Sequence, residues 1–199
     1  MQNLEMLTAR DILNYIYCPR LIFYEKVLRQ KQFQTFKQDN GIVKHAENVP
    51  SAKRIIYGEW KLFPNRLFEV SVRSVKHGFL TRADLLMWNN SEGRVVQFKP
   101  KIPDFGIPFA WKVQVCLEAI CAVEMRLGKF QKGYIAPYYG GKPLCFDLDE
   151  QLIDSSVEIV KKVRKLIDDE EFPEMTNYPN RCKDCMYRGR LCEGAFDGR

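Results

Sequence analysis

Between Arg181 and Gly194 the chain reads RCKDCMYRGRLCEG, with Cys182 and Cys185 as a C-x-x-C pair and Cys192 following after six intervening residues. Two thiolates at that spacing grip one metal centre, but a tetrahedral or cubane site takes four sulfur ligands, so a fourth must come from elsewhere. The best candidate is Cys18, in Tyr17-Cys18-Pro19-Arg20. Pro19 restricts the backbone beside that thiolate, and Cys-Pro occurs in bacterial cluster-binding runs. The two ends of the chain would then meet at one cofactor. Structural zinc usually recruits its cysteines as two close pairs, whereas here one pair is joined by two separated single ligands, which favours iron and sulfide over the zinc alternative. Cys116 and Cys121, in an apolar helical stretch, and Cys145, in a strand-like run, read as core residues.

A second constellation combines His45, Asp84 and the run Gln97-Phe98-Lys99. Asp84 falls within one arm of a predicted hairpin and Lys99 at the end of the other, so their side chains can converge on one face. A carboxylate, an imidazole and a strand-end lysine suit a hard divalent cation together with a group that orients a water for phosphodiester attack. Lysine adds a positive point charge that steadies a developing phosphorane or helps deprotonate the nucleophile. Spacing alone is weak support, because an Asp and a Lys placed this way across a hairpin are solvated in most proteins. His77, before Gly78, reads as an ordinary turn residue.

These residues need elements to hold them. Thr8-Ala9-Arg10-Asp11 has the form of a capping box opening a short helix that ends near Cys18, and Pro19 suits the first turn of a second. Gln30 to Asn40 is polar, a crossing or a weak helix, broken at Asn40-Gly41. Strand-like runs follow at Ile55 to Trp60, Leu67 to Val75 and Leu80 to Trp88, and Asn89-Asn90-Ser91-Glu92-Gly93 turns the chain into Arg94 to Lys99. Phe109 to Leu127 predicts a buried helix packed on the sheet. Gly133 to Tyr138 and Leu144 to Phe146 read as strands. Asp149 caps a last amphipathic helix to about Ile167, with Leu152, Ile153, Val157, Val160 and Val163 on its inner face.

At 199 residues and 46% hydrophobic, the chain suits one core with a small appendage. No window approaches a membrane span, and the opening MQNLEMLTARD has neither a basic n-region nor an apolar h-region, so a cytoplasmic location is expected, with cysteines as thiols or metal ligands. The net charge is +6, and between Arg20 and Lys76 twelve Lys and Arg stand against five Asp and Glu. A basic sector of this kind suits a polyanion partner or is simply a solvated face.

Gly41 with His45, then Arg82-Ala83-Asp84, Gln97-Phe98-Lys99 and Val113-Gln114-Val115, framed by Cys18-Pro19-Arg20 and the three later cysteines, resembles the fourth CRISPR-associated protein family, the RecB-like iron-sulfur nucleases of spacer acquisition. The resemblance runs over nearly the whole chain, and the four-cysteine frame is its specific part. It implies an α/β fold with a PD-(D/E)xK (RecB-like) nuclease core, a mixed sheet flanked by helices, and an iron-sulfur cluster joining the N- and C-terminal segments. One domain is expected over 1–199, with 1–30 and 172–199 as the iron-sulfur subregion and 41–148 as the nuclease core. The implied cofactors are a 4Fe-4S cluster on Cys18, Cys182, Cys185 and Cys192, and Mg2+ or Mn2+. His45, Asp84 and the Phe98 carbonyl match metal ligands, Lys99 the catalytic lysine and Gln114 a supporting helix glutamine.

The resemblance implies trimming of prespacer DNA, at single-stranded ends or overhangs, alongside a CRISPR integrase complex, with no membrane and with an oligomer left open. At Gln97 this chain departs from the family, which places an acidic ligand there. An amide oxygen touches a cation without bringing charge, and Mg2+ prefers carboxylates. The alternative function is therefore a catalytically weakened module that binds DNA and the integrase. Glu118, one turn after Gln114 where relatives often carry Tyr or another polar residue, reads as a polar residue at the edge of a buried helix. Arg20 is the candidate DNA contact, with one of Tyr15, Tyr17 and Tyr24 as a stacking face. Arg181, Lys183, Arg188 and Arg190 ring the cysteine loop, where they could hold phosphates or balance a thiolate-bound cluster.

Overall fold

In the computed structural model, residues 5–30, 57–138 and 141–192 are described, and within them the sheet grows from one long strand. Expectations that fall on 31–56, His45 and much of the basic sector included, lie outside the described residues. The long strand is β3, Phe79–Trp88, preceded by β1, Leu7–Thr8, and β2, Asn65–Ser74, and followed by β4, Gly93–Lys99. β2 lies antiparallel along the length of β3 on one side. On its other side β3 is shared, with β1 parallel at Phe79 and Leu80 and β4 antiparallel from Leu85 to Trp88. Between those two partners the sheet forks, and Asp84 stands at the fork.

The turn from β3 to β4 forms as its composition predicts: Asn89 Oδ1 accepts from the backbone N–H groups of Ser91 and Glu92, both at 2.9 Å. β4 then pairs parallel with β5, Phe130–Pro137, and β5 pairs antiparallel with β6, Leu144–Asp147. A parallel pair needs a crossover, which α3, Phe109–Glu124, supplies. Earlier in the chain are α1, Ala9–Tyr17, and α2, Pro19–Ile22; after the sheet comes α4, Glu150–Asp169. α3 packs on β2, β3, β4 and β5, with α1 and α4 outside it. Gly133 lets α3 come close, since a Cβ there would sit 2.5 Å from Val115 Cγ1. The architecture is a mixed sheet flanked by helices.

Two apolar layers follow from strand alternation. Leu86 and Val95 face the helices with Val113, Leu117, Val160 and Val163. Leu85, Val96, Phe98 and Tyr134 face the other way, onto Trp60 and Phe63. Full burial of each large side chain is worth about 1.5–3 kcal/mol.

Helix ends match their caps. Thr8 and Asp11 form the reciprocal capping box, and Asp149 Oδ1 accepts from Leu152 N at 2.8 Å. Two expectations fail. Gly58–Leu62 is a 3-10 turn that seats Trp60 under the sheet, where a strand reaching Trp60 was expected. Cys145 is exposed, because among the described residues β6 has no strand beyond it and one of its faces meets solvent. Among the described residues no helix is long and apolar enough to cross a membrane.

Candidate active site

The fork creates a local accounting problem. Where β4 leaves β3, its backbone loses ladder partners, and a buried N–H without a partner is costly. Asp84 solves this from the side, its Oδ2 accepting from Phe98 N at 2.8 Å. The carboxylate is thereby fixed at the fork, 5% exposed. Gln97 and Lys99 leave β4 on the face of Val95, toward α3, and Gln114 and Glu118 come down from that helix one turn apart.

Gln97, Lys99, Gln114 and Glu118 form one hydrogen-bonded network, with Asp84 acting on Lys99 and Glu118 through its charge. Lys99 Nζ donates to Gln97 Oε1 and Gln114 Oε1, both at 3.4 Å. The amide nitrogens point the other way: Gln97 Nε2 donates to both oxygens of Glu118 at 2.9 and 3.1 Å, and Gln114 Nε2 donates to Glu118 Oε1 at 3.1 Å. Two amides thus bridge an ammonium to a carboxylate. Lys99 is also near the Trp111 ring, at 5.3 Å.

Burial governs the electrostatics here. It pushes the Glu118 carboxyl up to about 8, aided by repulsion from Asp84 and opposed by the two amides and Lys99. Burial also lowers the Lys99 ammonium from its ordinary value, against the pull of Asp84 and Glu118. A lysine moved this way is better suited to proton exchange than a solvated one.

Of the sequence-predicted residues, the structure brings Asp84, Gln97, Lys99 and Gln114 together, with the Phe98 backbone beside Asp84; His45 lies outside the described residues. Glu118 was read as a helix-edge residue and is instead fully buried at the centre of the network. A polar pair at i and i+4 on a helix buried nearly all round was the signal for it.

The cysteines occupy a separate corner. Cys18 ends α1 and precedes Pro19 of α2. It shares an aromatic cluster with Phe23, Tyr24, Tyr187, Cys185 and Cys192. Tyr24 Oη donates to Leu191 O and Tyr17 Oη to Arg181 O, both at 2.9 Å, while Arg181 Nη1 donates to the carbonyls of Ile16 and Tyr17. Arg20 donates from Nε to Pro173 O at 3.0 Å and from Nη1 to Cys192 Sγ at 3.3 Å, and it lies over Phe172. The residue expected to touch DNA is therefore engaged with the cysteine loop. Burial, then repulsion among Cys18, Cys182, Cys185 and Cys192, raises the Cys182 thiol; burial also raises Cys185. Among the described residues, no group of three or more His, Cys, Asp or Glu stands arranged to hold a metal ion.

No known family profile matches the chain. No curated protein matches it either. Solved structures do. SSO0001 superposes with a TM-score of 0.61 at 19% identity, over 98% of this chain and 89% of its own. LHK-Exo in complex with dAMP gives 0.51 at 13% identity, over 84% and 90%. A candidate exonuclease from Eubacterium rectale gives 0.52 at 12% identity, over 98% and 88%. At these identities the likeness establishes the fold they share.

Proposed function

We propose that this chain is a divalent-metal-dependent DNA nuclease with a RecB-like core. The observation that carries the reading is the convergence at the sheet fork of Asp84, Gln97, the Phe98 backbone and Lys99 under Gln114 of α3. Two neighbours of the same fold, LHK-Exo and the Eubacterium rectale protein, are named as exonucleases, and the first was solved with a nucleotide. The donor set is rich in oxygen and includes buried carboxylate, as a hard divalent cation requires. Asp84, Gln97 and the Phe98 carbonyl would hold Mg2+ or Mn2+ with His45. Such an ion, when bound, supplies Lewis acidity and an activated water.

The chain's own groups do the rest. Asp84, locked by Phe98 N, keeps its carboxylate oriented at no cost during reaction. Lys99 presents positive charge to the phosphoryl oxygens while a water oxygen bonds to phosphorus, giving up a proton to solvent, and the bond to the leaving sugar oxygen breaks, that oxygen taking up a proton from solvent. Gln114 and Gln97 hold that ammonium in place. Mn2+-dependent degradation of a labelled single strand, lost in Lys99→Met and Asp84→Asn, is the expected outcome; degradation that survives both variants refutes the assignment.

The cysteine corner is proposed to carry a 4Fe-4S cluster on Cys18, Cys182, Cys185 and Cys192, as a clamp and not as the cutting centre, since phosphodiester hydrolysis moves no electrons. Thiols from both ends of the chain meet around one aromatic cluster, which supports this. Arg20 beside Cys192 would offset cluster charge. The finer role, trimming prespacer ends beside a CRISPR integrase, rests on the four-cysteine resemblance and is tested by co-purification with an integrase. Gln97 favours a second reading, a module that binds DNA without cutting; under it Gln97→Glu alone would raise activity sharply.

A further inference from the structure

Glu118 is the group that neither the sequence motif nor the fold likeness accounts for. Its side chain is 0% exposed, on a helix stretch of Cys116, Leu117, Ala119, Cys121 and Ala122. A carboxylate in such a place is strongly unfavourable unless something offsets it, and an apolar side chain of similar size would serve the core better. What touches it is neutral: two glutamine amide nitrogens, which make three hydrogen-bond contacts to its oxygens. Lys99 bonds to the far oxygens of those amides, and the neighbouring Asp84 repels Glu118. The carboxyl is oriented by amides and, among the described residues, has no cation bonded to it.

We propose that Glu118 supplies the anionic ligand missing at position 97, so that Asp84 from the sheet and Glu118 from α3 together hold the divalent cation, with Gln97 as their amide spacer. This rests on the nuclease reading above. Gln97 is then no lesion. With Glu118 in place, an acid at position 97 would set two carboxylates where Gln97 Nε2 now donates at 2.9 Å, so the amide on the strand and the acid on the helix require each other. The charges fit the task. In the metal-bound site, with Glu118 ionised by the cation, two carboxylates, one ammonium and one divalent cation sum to one net positive charge, matched to one phosphodiester.

The test is Mn2+ binding, followed by electron paramagnetic resonance of free Mn2+, in the full chain and in variants with native circular dichroism. Glu118→Gln is expected to weaken Mn2+ at least about tenfold. Gln97→Glu is expected to lose stability without gaining affinity. The double variant Gln97→Glu/Glu118→Gln, with the acid returned to the strand, is expected to recover affinity to within a few-fold; should Glu118→Gln not fold, this variant decides alone. A double variant no better than Glu118→Gln overturns the exchange. Glu118→Gln binding like wild type while Asp84→Asn loses Mn2+ overturns the role of Glu118 and leaves the nuclease reading standing. Wild type that binds no Mn2+, or Asp84→Asn that binds as well as wild type, overturns both.

Discussion

The fork between β3 and β4 and the cysteine corner are two polar centres organised in opposite ways. At the fork, Asp84, Gln97, Lys99, Gln114 and Glu118 each sit on a long strand or helix whose neighbours belong to the main core, and each amide is engaged through both its oxygen and its nitrogen. At the corner, Cys182, Cys185 and Cys192 ride on short turns, tied down by Tyr17, Tyr24, Arg20 and Arg181 through carbonyls and one sulfur. The first centre is preorganised by packing, which is what electrostatic catalysis needs. Under the cluster proposal the second would rely on what its thiols bind, since metal-binding energy there would be folding energy.

If that contrast is right, the corner breaks through stability and the fork through chemistry. Cys18→Ala should therefore have the largest effect on the molecule: loss of most iron and blue-violet absorbance, with several kcal/mol of apparent stability lost in thermal melts. Full iron content in that variant would misplace the fourth ligand. Lys99→Met should do the reverse, lowering cleavage about 10²–10³-fold in single-turnover assays while the melting temperature holds, since a desolvated ammonium is not a stabilising feature.

A smaller effect sharpens the electrostatic side. The Glu118 carboxyl in the folded chain titrates near 8, above the 4.5 of an ordinary carboxyl, so between those values the native state holds a proton that the unfolded state has released. Metal-free protein should thus lose stability as pH rises through that window, and Glu118→Gln should flatten the slope of melting temperature against pH. The smallest effect belongs to the corner's fastenings: Tyr24→Phe removes the bond to Leu191 O and should cost about 1 kcal/mol in denaturant melts, with cleavage rates unchanged.

The sequence made some of this legible for definite physical reasons. Period-two alternation and the Asn89 turn located β2, β3 and β4, and the hairpin spacing put Asp84 and Lys99 on one face, because strand geometry leaves little freedom. Thr8 with Asp11 and Asp149 announced two helix starts through side-chain chemistry that is local. Non-local facts stayed hidden. The pairing of Glu118 with Gln97 depends on how α3 lies across β4, which no window of sequence contains. Trp60 sits in a 3-10 turn because the core on the far side of the sheet needs its ring there, overriding strand propensity. Arg20 read as a DNA contact in sequence, yet the fold closes Pro173 and Cys192 around it.

The central claim is that the forked sheet builds a divalent-cation site that cuts DNA. Its most direct test measures Mn2+ binding and single-strand cleavage on the same sample of wild type, Asp84→Asn and Lys99→Met. Wild type is predicted to bind Mn2+ and cut, Lys99→Met to bind Mn2+ without cutting, and Asp84→Asn to do neither; cleavage that persists in Asp84→Asn, or wild type inert toward both metal and DNA, would contradict it.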